Sequence, residues 1–75
     1  MAKSDAPVPY TDRIGETAGA IWHLLDSEGP MSLTQLVKKV GEPRDTVMQG
    51  LGWLAREGKV EVIEEGRKRT VSLCV

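Results

Sequence analysis

The side chains able to do chemistry here are few: one histidine, His23, one cysteine, Cys74, eleven carboxylates, and ten lysines and arginines. His23 and Cys74 stand far apart in sequence, and a lone cysteine excludes an internal disulfide and any multi-cysteine metal site. No glycine-rich phosphate loop follows a strand-like segment. Gly15 and Gly19 do not form a dinucleotide fingerprint, because no strand precedes them. Catalysis, a bound metal and a cofactor are therefore not expected. What remains is charge, and it is spread unevenly. Lys38, Lys39, Arg44 and Arg56 outweigh Glu42 and Asp45, leaving residues 30–56 at +2, and Arg67-Lys68-Arg69 takes residues 66–75 to +3. Residues 11–29 and 57–65 each carry −3. The net charge is only −1 and the isoelectric point about 5.7, so the total hides these clusters.

The elements that must hold these residues follow from period and punctuation. Ile14, Ala18, Ile21, Trp22 and Leu25 fall on one face of a helix predicted over 12–28, with Thr11 as N-cap and Gly29-Pro30 as its stop. Ser32-Leu33-Thr34-Gln35 fits a capping box and opens a short helix over 33–40. Leu33, Leu36, Val37 and Val40 form its apolar side, and Gly41 ends it. Pro43 suits the first position of a third helix over 43–57, with Val47, Leu51, Leu54 and Ala55 inward and Gly58 as cap. After Gly58 the period changes from 3.6 to 2. Val60 and Val62 alternate in one segment, Val71, Leu73 and Val75 in another, and Glu65-Gly66-Arg67 turns between them, which predicts a hairpin.

Seventy-five residues make one domain, and a chain this short buries only ~60% of the surface its unfolded form exposes. Residues 1–10, with Pro7 and Pro9 and few aliphatics, read as a flexible leader, and residues 11–75 as the domain. The apolar runs are too short for a membrane span or a secretory core, so a cytoplasmic location and no membrane partner are expected.

Three helices, a tight Val40-Gly41-Glu42-Pro43 link between the second and third, and a C-terminal two-stranded hairpin give an α+β order that resembles a winged helix-turn-helix domain. The run Leu51-Gly52-Trp53-Leu54-Ala55-Arg56-Glu57-Gly58-Lys59-Val60 extends the likeness into the wing. It is also similar to a family of small uncharacterised prokaryotic winged-helix proteins. The resemblance implies a DNA-binding transcriptional regulator, with the third helix toward the major groove of double-stranded DNA and the wing toward the backbone. On that reading Arg44, Thr46 and Gln49 near the start of the third helix are candidate base readers, with Asp45 and Met48 beside them. Lys38, Lys39, Arg67, Lys68 and Arg69 are the candidate phosphate contacts.

A second reading stays open: a protein-interaction or dimerisation module on the same fold, without DNA. Gly15, Ala18 and Gly19 form a small-residue surface on the first helix, suited either to a neighbouring helix of the same core or to a homodimer contact. Trp22, Met48 and Trp53 complete the candidate interface, although packing within the core is the plainer role for both tryptophans. His23 lies off the apolar stripe and is expected in solvent, and Cys74 is expected to pack in the last strand.

Overall fold

A computed structural model describes residues 9–74. Helix α1 runs Tyr10–Glu28, strand β1 Met31–Ser32, helix α2 Leu33–Val40, helix α3 Arg44–Arg56, strand β2 Val60–Glu65 and strand β3 Lys68–Leu73. The expected leader lies outside the described residues up to residue 8. Tyr10 is already helical, so α1 begins two residues earlier than the spacing predicts, with Pro9 and not Thr11 as its N-cap. Pro9 sits in extended backbone and its carbonyl accepts from Asp12 N at 3.1 Å.

The short α2 forms as its sequence dictates. Gln35 N donates to Ser32 Oγ at 3.2 Å and Ser32 N donates to Gln35 Oε1 at 3.2 Å, a complete capping box. Gly41 closes the helix in the left-handed region at φ 78°, where a Cβ would be strained. Pro43 acts as the N-cap of α3, not as its first helical residue.

The expected two-stranded hairpin forms as β2 and β3, and the short β1 joins it in a three-stranded antiparallel sheet of order β1-β3-β2. β1 is two residues long and shows no alternation that sequence reading can detect. It pairs Met31 with Val71 and Ser32 with Thr70. The hairpin pairs Val60 with Leu73 through Glu65 with Lys68. Its two-residue turn carries the positive φ on Gly66, the first central position, where a type II′ turn favours glycine.

The core lies where the helices meet the base of this sheet. Ile21, Leu36, Val47 and Val71 are fully buried, with Leu25, Met31, Leu33, Leu51, Leu54 and Val60 around them. Helices α1 and α3 cross very close, and Gly50 permits it: a Cβ there would stand 3.1 Å from the Ala18 backbone nitrogen and 3.3 Å from Ile21 Cδ1. Ala18 is buried at this crossing, so it belongs to the core and not to an open surface. Ala55 and Cys74 are exposed against expectation, since the last turn of α3 and the end of β3 project past the core. Val62 is partly exposed although its cross-strand partner Val71 is fully buried, because β2 is the edge strand of the sheet.

Candidate nucleic-acid interface

The pairing of Ser32 with Thr70 decides which cations meet. It sets the N-terminus of α2 against β3, so the wing arginines stand beside the first turn of a helix that has no acidic residue there. Arg44, the first residue of α3, closes the third side. Together Ser32, Leu33, Thr34, Arg44, Arg67, Lys68 and Arg69 line a cleft of about 400 Å³. Four cations face a helix N-terminus whose free N–H groups and dipole also favour anions. Arginine supplies paired donors that fit phosphate oxygens, and lysine a compact point charge.

One carboxylate offsets them. Arg69 Nε donates to Glu64 Oε2 at 3.3 Å across the hairpin, and both groups are about half exposed. Such a pair contributes little stability, roughly 0–1 kcal/mol, but it holds the arginine in place along the strand. Arg44, Arg67 and Lys68 have no ion pair among the described residues.

The other expected contacts are dispersed. Lys38 and Lys39 are in the last turn of α2, about 8 Å along its axis from the cleft. Lys39 Nζ is bound to Glu28 Oε1 at 3.0 Å, at the C-terminal end of α1. Thr46, expected as a base reader, is 2% exposed and its hydroxyl lies 2.6 Å from the Tyr10 hydroxyl. It braces α3 against α1 and presents nothing outward. Asp45 Oδ1 accepts from Thr46 N at 2.8 Å, tightening the same turn. Gln49 is exposed one turn further on, and Met48 is half-buried against the core. Ser32 and Thr34 were missed as lining residues. Their signal was the capping box, which marks a helix N-terminus but not what stands opposite it.

A different face carries the aromatic candidates. Trp53 is 44% exposed on α3, and Trp22 is half-buried with its ring edge-to-face with that of His23, centroids 5.4 Å apart. His23 itself is exposed.

The family model described as "Winged helix-turn-helix domain (DUF2582)" matches residues 10–73. The chain belongs to this family. It is 44% identical over 64 residues to "Uncharacterized protein MJ1608" of Methanocaldococcus jannaschii, covering 81% of this chain and 90% of that one. The solution structure of BT2368 from Bacteroides thetaiotaomicron superposes with a TM-score of 0.76 at 28% identity, over 87% of this chain and 79% of that chain. The crystal structure of an ArsR family transcriptional regulator, RHA00566, superposes with a TM-score of 0.63 at 22% identity, over 99% of this chain and 77% of that one. The last likeness establishes the winged-helix fold alone. No helix among the described residues is long and apolar enough to cross a membrane.

Proposed function

We propose that this family member is a non-enzymatic DNA-binding protein of the transcription-regulator kind. The cleft between α2, Arg44 and the wing tip takes duplex phosphates, while Arg44 and Gln49 face the major groove. One observation supports this above the rest: Arg44 converges with the distant run Arg67-Lys68-Arg69 on one helix N-terminus in a chain whose net charge is −1. The clustering creates a local field that the composition conceals. The role of RHA00566 as a regulator on a shared fold agrees with it. Such a protein would act in the cytoplasm.

Titration of a short DNA duplex against the chain at several salt concentrations tests the reading. Three or four phosphate contacts give a log–log slope near −3, a loss of roughly 40- to 150-fold between 50 and 200 mM salt. Absence of binding at low salt with hundreds of micromolar duplex overturns it. The second reading, a protein-interaction module, has its support elsewhere, in Trp53 left 44% exposed on α3.

A further inference from the structure

Strand β2 is the outer strand of the sheet, and its far edge is bare. The order β1-β3-β2 gives it one neighbour, β3. The Glu65–Lys68 pair closes a two-residue turn and so exchanges both its backbone bonds. Alternation then directs the N–H and C=O of Glu61, Ile63 and Glu65 toward β3. Lys59 O, which accepts from Cys74 N at 2.9 Å, keeps the same phase. Val62 and Glu64 therefore point both backbone groups away from the sheet, and no other backbone group among the described residues bonds to them.

An open edge pairs with another strand unless it is blunted. This one is six residues long and keeps an unbroken register from Val60 to Glu65, with no bulge and no proline. Two of the four large apolar side chains exposed among the described residues, Val62 and Ile63, are adjacent on it.

Charge decides what can cover it. Glu61, Ile63 and Glu65 share one face of the strand, opposite Ser72, Thr70 and Lys68. Both of these carboxylates are exposed, and neither has an ion pair among the described residues. Glu64 is on the other face with Val62 and is taken by Arg69. Against β2 of a second copy, the three carboxylates of each strand would crowd one ladder, where like charges are destabilising. The same carboxylates repel a nucleic acid. A strand with cations at both ends and apolar residues between them meets opposite charge at Glu61 and Glu65, which stand about 13 Å apart along β2. Between those two it meets apolar surface at Val62 and Ile63.

We infer that the free edge of β2 is a peptide-binding site that takes a basic, extended protein segment as a fourth strand. Main-chain bonds to Val62 and Glu64 attach the segment, and Glu61 and Glu65 select one whose basic residues flank an apolar centre. Strand β3 separates this edge from β1, and the site shares no residue with the cationic cleft.

Titration of the isotope-labelled full chain with the peptide acetyl-Arg-Thr-Ile-Val-Arg-amide tests this, read by NMR as amide shifts and solvent-exchange rates. At about 5 mM peptide, a Kd of about 1 mM or tighter slows exchange of the Val62 and Glu64 amides by about sixfold or more. Val62→Pro removes an outward N–H and no bond to β3, so it stays folded by circular dichroism while peptide affinity falls by about fivefold or more. Glu61→Lys combined with Glu65→Lys keeps the test open should the proline variant not fold. That double variant loses the basic peptide and gains acetyl-Glu-Thr-Ile-Val-Glu-amide, which the wild type does not bind. Absence of shifts in the wild type at about 5 mM basic peptide overturns the inference. Shifts without slowed exchange at Val62 and Glu64 overturn it as well, since the carboxylates then attract the peptide without a strand forming. So does equal binding of the two peptides by the wild type.

Discussion

The Tyr10 hydroxyl lies 2.6 Å from Thr46 Oγ1, joining the first turn of α1 to the first turn of α3 across 36 positions of sequence. The bond fixes the start of α3, the point from which Arg44 projects. Thr46 is buried, so losing its partner leaves a hydroxyl with only the long 3.5 Å approach to Asp45 Oδ1. Tyr10→Phe is expected to destabilise the fold by about 1 kcal/mol. For a domain of this size that lowers the melting temperature by about 4–8 °C. A calorimetric or circular-dichroism melt indistinguishable from wild type would show that this strut carries no weight.

Glycine-to-alanine substitutions two residues apart in α3 should act with opposite sign. At Gly50 the new methyl meets backbone that cannot give way, and about 1–3 kcal/mol of stability is lost. At Gly52 the methyl meets open space, and the helix gains up to about 1 kcal/mol from better propensity. Urea unfolding of the two single variants gives the comparison, and a shared sign would refute the packing argument for Gly50.

Ser32 has two duties, cap of α2 and wall of the cationic cleft. Ser32→Ala should cost about 1 kcal/mol through the lost cap. Gln35→Ala breaks the reciprocal bond of the same box, so the double variant should cost less than the two singles added. Strict additivity in denaturant titrations would mean the two bonds act independently.

Cations inside and outside the cleft should separate in duplex binding. Arg67→Ala is expected to weaken all sequences alike and to reduce the magnitude of the salt slope by about 0.9. Lys39→Ala removes a residue tied to Glu28 at the far end of α2, so slope and affinity should hardly change. Equal losses for the two variants would assign phosphate binding to some broader surface.

Much of this fold was legible because its signals are local. The capping box at Ser32–Gln35 predicts both ends of α2 correctly, since Gly41 terminates what Ser32 begins. The change of period at Gly58 likewise predicts the hairpin. What sequence reading missed depends on long-range contact. Met31–Ser32 is a strand only because β3 lies beside it. Thr46 faces inward only because Tyr10 meets it, and Ala18 is buried only because Gly50 lets α3 approach. The candidate site divides in the same way. Arg67, Lys68 and Arg69 are adjacent in the chain and were found together, whereas their separation from Lys38 and Lys39 follows from the β1–β3 register.

That register has a mechanical corollary. Val71 is gripped from both sides, by Met31 and by Val62, and is wholly buried, so the hairpin is bolted to the helical body at its root. Beyond Thr70 and Ile63 both strands are exposed and have only each other. The wing is thus a cantilever: its base keeps Arg69 beside α2, and the overhang bearing Arg67 is held only by the pairing of its own two strands.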